Sequence, residues 1–182
     1  YGITVACLQP LLEGVPLVCH PDPTDVVNIA KACARYKATI MCNTAVVIQL
    51  FSRNNKVHPL MLASLRMVLS AAEKLQDDAR RAFTLKFNKE IFEAYGATET
   101  TPLVTTNTPD YLDDHFWHVQ VSNRTGSVGL PLPGTAIRIV DPETLTSLPV
   151  GEDGLVLIGG TQVMLGYLNQ PEKTKEVIVE MD

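Results

Sequence analysis

From Ile91 to Thr100 the chain reads Ile-Phe-Glu-Ala-Tyr-Gly-Ala-Thr-Glu-Thr, an apolar segment of strand character that passes into a turn of small residues. The turn sets a hydroxyl, Thr98, beside a carboxylate, Glu99. Gly96 and Ala97 let backbone amides come close to an anion, a threonine hydroxyl can donate to a phosphate oxygen, and a glutamate carboxylate suits hard, oxygen-seeking Mg²⁺. The chemistry that fits is the holding of a nucleotide phosphate and its metal. The five residues from Tyr95 to Glu99 equally suit an ordinary loop with a helix cap behind it, so the string alone does not define a site.

The surrounding pattern gives the turn a setting. Val15 to Cys19, between Gly14 and the prolines Pro21 and Pro23, reads as a buried strand. Asp22 to Asp25 offers cap chemistry for a helix in which Val26, Val27, Ile29, Ala30, Cys33 and Ala34 recur at helical spacing up to Tyr36. Ala38 to Cys42 predicts the next strand, and Thr44 to Phe51 a second helix capped by Asn43. Leu65 to Leu69 is the third strand. It ends in the small-residue turn Ser70-Ala71-Ala72-Glu73-Lys74, which opens toward a helix from Gln76 to Lys86, and Ile91 to Ala94 is the fourth strand. Strands alternating with helices at these lengths predict an α/β fold with a mainly parallel sheet and flanking helices. Such sheets bind ligands at the carboxyl ends of their strands, where Ser70 to Glu73 and Tyr95 to Glu99 both fall.

Beyond Asn107 the texture changes. Residues 1–108 are expected to form the α/β subdomain and 109–125 a connecting loop. A small β-rich subdomain with a terminal helix is expected over 126–182. Ala136 to Val140 and Gly154 to Ile158 read as strands joined by a turn-dense connection typical of antiparallel pairing. Pro171 to Val179 is the expected helix, with Asn169 as its cap.

Composition narrows the function. With 182 residues, 46% of them hydrophobic, the chain can bury a core. A net charge of -5 and scattered lysines and arginines argue against nucleic acid or an anionic membrane as partner. Cys7, Cys19, Cys33 and Cys42 lie in or beside apolar runs without CxxC spacing and read as reduced core residues. His115 and His118, with Asp113 and Asp114, read as a solvated loop rather than a metal site. No apolar run reaches the roughly 18 residues of a membrane span, and no signal peptide is visible, so the default compartment is the cytoplasm. The opening Tyr1-Gly2, without an initiator methionine, suggests a piece of a longer protein.

Four ordered stretches together resemble the acyl-activating, adenylate-forming enzyme superfamily, which includes acyl-CoA synthetases and the adenylation domains of peptide synthetases. Tyr95-Gly96-Ala97-Thr98-Glu99 resembles its adenylate-binding loop, and Ser70 to Leu75 its adenine-side turn. Gly126 to Gly134 is similar to the Gly-rich entry into its β subdomain. Gly159 to Thr174 is similar to its long final signature. Within the superfamily, Ala72-Glu73-Lys74-Leu75 resembles bacterial acyl-acyl carrier protein synthetases, whose domains are often fused to a 2-acylglycerophosphoethanolamine acyltransferase. Fatty acyl-CoA synthetases are the nearest competitor, and a non-catalytic binding module of the same fold is the reading from another class.

The resemblance implies roles residue by residue. Tyr95 would flank the adenine, Gly96 and Ala97 would bring backbone to the adenylate, Thr98 would bond the α-phosphate, and Glu99 would bind Mg²⁺ on ATP. Ala71, Ala72 and Glu73 would line the adenine and acyl side, although Glu73 equally suits a charge at a helix N-terminus. The apolar residues Val46, Val47 and Leu50 could wall an acyl pocket, but a plain core explains them better. The implied partners are a fatty acid and either acyl carrier protein or coenzyme A, with the longer protein in the cytoplasm or at the inner membrane. The phosphate loop, the Thr-Gly-Asp motif and the catalytic lysine of the superfamily are not found in these 182 residues, so the chain by itself is expected not to adenylate fatty acids.

Overall fold

A computed structural model describes residues 1–180. Its centre is a five-stranded sheet in the order β1 (Ile40–Asn43), β2 (Met67–Ser70), β3 (Ile91–Tyr95), β4 (Thr105–Thr106), β7 (Leu130–Pro131). The first three strands are parallel, with Asn43 beside Ser70 and Ser70 beside Glu93. β4 and β7 run antiparallel to their neighbours. The mainly parallel sheet with flanking helices is as expected from the sequence.

Alternation along the strands divides the apolar residues between two faces. Val68 and Ile91 join a core with Ile48 and Phe51 of α3 (Ala45–Arg53) and Phe83 of α4 (Asp77–Phe87). Leu69, Phe92 and Ala94 form a second cluster with Ala71, against which Tyr1, Val5 and Leu103 pack. Phe51, Phe83 and Ile48 are wholly buried. Burial of each such side chain contributes about 2–3 kcal/mol, which explains why α3 and α4 are held against this face. Lys86 at the end of α4 donates to the carbonyls of Phe51, Ser52 and Asn54 at 3.0, 3.2 and 2.7 Å, satisfying the last turn of α3.

α2 (Val26–Tyr36) is capped by Asp25, whose carboxylate accepts from the Asn28 amide at 3.2 Å and the Asn28 side chain at 2.7 Å. Two short antiparallel pairs complete the fold: β5 (Tyr111–Asp113) with β6 (His118–Gln120), and β8 (Thr135–Val140) with β9 (Leu155–Gly160). The terminal helix α5 spans Pro171–Val177.

Several expectations are corrected. Val15 to Cys19 forms no strand: Pro16 withholds an amide, and no described strand pairs with the segment. Instead the chain opens with a π-helical run, Thr4–Leu8, continuous with α1 (Gln9–Leu12). Cys33 alone of the four cysteines is buried, and Cys19 is exposed because its strand is absent. Desolvation raises the Cys33 and Cys42 thiols above their ordinary range. The segment read as a connecting loop contains the β5–β6 hairpin, where Asp113 Oδ1 accepts from the His115 and Phe116 amides at 2.9 and 3.2 Å. Leu130–Pro131, assigned from sequence to the β-rich part, is a strand of the main sheet. Thr44, not Asn43, precedes α3, and Gln170, not Asn169, precedes α5. Val47 is buried as expected, but Val46 and Leu50 are 56% and 36% exposed, so a plain core does not account for them.

Candidate functional site

Because β2 and β3 are adjacent and parallel, the turns that follow them leave from the same edge of the sheet. In the first turn Ala71 is buried and its amide donates to the Asn43 carbonyl at 3.3 Å, tying the turn to the end of β1. Ala72 takes φ +76°, a left-handed conformation that costs a residue with a Cβ about 1–2 kcal/mol. Strain of this kind gathers at functional turns. Glu73 reaches back across the edge, its Oε1 accepting from the Val46 amide at 3.0 Å in the first turn of α3. A sheet-edge carboxylate thereby caps a helix whose own N-cap, Thr44, makes no side-chain bond. Ser70 Oγ is buried without a hydrogen-bond partner among the described residues.

The second turn connects β3 to β4 and includes a 3-10 turn, Thr98–Thr100. Tyr95 closes β3 with 39% of its surface exposed. A Cβ on Gly96 would collide with the Pro102 carbonyl and with Leu103, so glycine here serves the folding-back of the loop itself. The Ala97 amide donates to Thr100 Oγ1 at 3.0 Å and is therefore engaged within the loop. Of the two amides expected to approach an anion, that of Ala97 is thus taken up by Thr100. Thr98 is exposed, and its hydroxyl makes no hydrogen bond among the described residues.

Glu99 is half-buried and doubly held. Its carboxylate accepts from the Tyr167 hydroxyl at 2.6 Å, and its carbonyl accepts from the Met164 amide at 2.8 Å. The Tyr167 bond is the main cause that keeps the Glu99 carboxyl below the usual carboxylate range, with Lys173 adding attraction, and the same bond raises the Tyr167 phenol. The carboxylate is thus ionised at neutral pH. Oxygen donors of this kind, one hydroxyl and one carboxylate, fit a Mg²⁺ that keeps its waters and takes most of its remaining ligands from phosphates. No cluster of three metal-ligating side chains occurs among the described residues.

Sequence reasoning missed three supports. Thr100 closes the loop through the Ala97 amide. Asn107, buried, donates to the carbonyls of Glu93 and Ser127 at 3.1 and 2.8 Å and accepts from the Arg124 amide at 2.9 Å. It fastens the Gly-rich stretch to β3, and Gly129, at φ +86°, has no room for a Cβ against the backbone of Thr106 and Asn107. Tyr167 lay inside the final signature, but nothing local in that stretch points to a partner 68 residues away.

The AMP-binding enzyme family matches residues 1–168. The chain belongs to that family. It is 29% identical over 178 residues to the long-chain-fatty-acid–CoA ligase of Salmonella typhimurium, covering 98% of this chain and 30% of the relative. The anthranilate CoA ligase AuaEII in complex with anthranoyl-AMP superposes with a TM-score of 0.81 at 26% identity, over 97% of this chain and 32% of that one. ATP-bound MatB from Rhodopseudomonas palustris superposes with a TM-score of 0.79 at 28% identity, over 96% and 32%. The chain spans about 30% of the length of the curated relatives it matches. Among the described residues no helix is long and apolar enough to cross a membrane.

Proposed function

We propose that the chain supplies one wall of the adenylate site of an ATP-dependent acid–thiol ligase. In that reaction a carboxylate attacks the α-phosphorus of ATP, releasing pyrophosphate, and a thiol then displaces AMP from the acyl-adenylate. Charge neutralisation at phosphorus is the main demand. The observation that carries the reading is the pairing of a Thr98 hydroxyl, without a partner among the described residues, with an ionised Glu99 carboxylate at the carboxyl edge of the parallel strands. Thr98 bonds the α-phosphate, Glu99 takes the Mg²⁺ of ATP, and Tyr95 flanks the adenine. Gly96 and Ala97 shape the loop against the adenylate, while Ala71 and Ala72 line the adenine side. Glu73 acts as the cap of α3 at the rim of that wall. In this reading residues 1–108 and 126–182 are the two subdomains of the adenylation core, the second lending its strand β7 (Leu130–Pro131) to the sheet of the first.

The fatty-acid ligase relative supports a fatty acid as the substrate and coenzyme A as the thiol. The exposed pair Val46 and Leu50 next to the Glu73 cap suits an apolar acid. A second reading, transfer to acyl carrier protein for lysophospholipid reacylation, rests on Ala72-Glu73-Lys74-Leu75. Assaying the polypeptide that carries this chain with a long-chain fatty acid and either acceptor separates the two.

The site itself is tested by titrating the chain with Mg·ATP and with AMP, then repeating with Thr98→Ala and Glu99→Ala. Both substitutions are expected to weaken Mg·ATP binding by about tenfold or more. Binding unchanged by both overturns the assignment.

A further inference from the structure

We propose that Tyr167 is a positioning residue for Glu99, its hydroxyl fixing one carboxylate oxygen so that the other is presented to a nucleotide-bound Mg²⁺. The inference rests on Glu99 being the metal ligand of the adenylate site. Mg²⁺ demands near-octahedral geometry, and a lone glutamate on a turn has three rotatable side-chain bonds with which to miss it. Partners that orient a ligating carboxylate typically change metal affinity 10–100-fold when removed.

The geometry meets that need at several points. Tyr167 Oη donates to Glu99 Oε1 at 2.6 Å, and no other side-chain donor reaches this carboxylate among the described residues. Tyr167 is itself fixed: its amide donates to Thr174 Oγ1 at 2.9 Å, and Lys173 Nζ lies 4.9 Å from the centre of its ring. The preceding Gly166 is crowded by the Thr174 side chain, which leaves no room for a Cβ at that position. The bond from the Met164 amide to the Glu99 carbonyl docks the same stretch on the loop backbone, so side chain and main chain are held by one segment. The tyrosine thus comes from the far end of the chain, 68 residues from the carboxylate it orients.

The test follows ATP binding to the chain as Mg²⁺ is raised, in the wild type, Tyr167→Phe and Glu99→Gln, with metal-free AMP binding as a control. Tyr167→Phe keeps the ring and its packing. It is expected to raise the Mg²⁺ concentration for half-maximal ATP binding about tenfold, while AMP affinity stays within about twofold of the wild type, an outcome that a merely structural role for the hydroxyl does not produce. Glu99→Gln is expected to abolish the Mg²⁺ dependence. If Glu99→Gln leaves that dependence intact, the metal-ligand reading fails and the positioning role fails with it. If Glu99→Gln abolishes it and Tyr167→Phe does not shift it, the positioning role alone is overturned. Thr174→Val, which loosens Tyr167 without touching Glu99, is expected to move the midpoint in the same direction by a smaller factor. It becomes the deciding variant if Tyr167→Phe does not fold, and an unmoved midpoint there overturns the proposal.

Discussion

Glu73 and Val46 are joined by a hydrogen bond of 3.0 Å from the Val46 amide to Glu73 Oε1, so that the turn after β2 closes the first turn of α3. An acceptor at a helix start is worth about 1 kcal/mol, and its negative charge adds a favourable term with the helix dipole. Glu73→Ala is therefore expected to lower stability by about 1 kcal/mol in urea denaturation, with Glu73→Gln costing less because it keeps the acceptor. AMP affinity is expected to hold in Glu73→Gln. A marked loss of affinity there, with stability unchanged, would assign Glu73 to the ligand instead.

Arg80 and Glu93 form an ion pair whose side chains are only 14% and 13% exposed. Arg80 also donates to the Ile91 carbonyl at 2.8 Å, and Glu93 Oε1 accepts from the Leu75 amide at 3.3 Å. Removing one member strands the other charge away from water. Arg80→Ala is expected to cost about 3–5 kcal/mol, measured by chemical denaturation, and the double variant with Glu93→Ala is expected to recover part of the loss. Full additivity of the two single effects would show that the pair is not coupled.

Asp25 offers a pH test. Its bonds to the Asn28 side chain and amide hold its carboxyl below the ordinary carboxylate range, with His20 adding attraction. A depressed folded-state pKa means that the contribution is complete above the unfolded value, near 4 (~), and is lost as pH falls through the folded value. The gap in thermal midpoint between the wild type and Asp25→Ala is expected to be full at neutral pH and to close on acidification below that value. A gap that widens on acidification contradicts the cap.

Gly96 separates loop closure from ligand contact. A methyl group there meets the Pro102 carbonyl and Leu103. Gly96→Ala is expected to destabilise the chain by about 2–4 kcal/mol, seen as an earlier denaturant midpoint without any nucleotide present. If instead stability holds and only AMP binding falls, the glycine serves the ligand rather than the loop.

The helices α2, α3 and α4 and the three parallel strands were legible because their signals are local: apolar spacing, Asp25 as a cap, small residues where strands end. Their ends shifted by one or two residues, as between Ala38–Cys42 and Ile40–Asn43. Val15 to Cys19 misled because an apolar run marks a strand only where another strand offers it hydrogen bonds. β4 and β7 were missed for the opposite reason, being two residues each and defined by partners rather than by pattern. In the site, Thr98 and Glu99 could be read from their chemistry. The holds placed on them by Thr100 and Tyr167, and the capture of the Ala97 amide, depend on side-chain geometry that no spacing rule encodes.

The loop that carries Thr98 and Glu99 is the connection of an antiparallel hairpin, since Tyr95 pairs with Thr105 and Ala94 with Thr106. Its two arms are sequence neighbours, whereas the parallel pairing of β2 with β3 must close a crossover through α4. Short closures are fast and carry little entropic cost, while long ones govern the overall rate. The loop between them can therefore take shape early in folding, from a stretch of little more than ten residues, and await the later arrival of Tyr167.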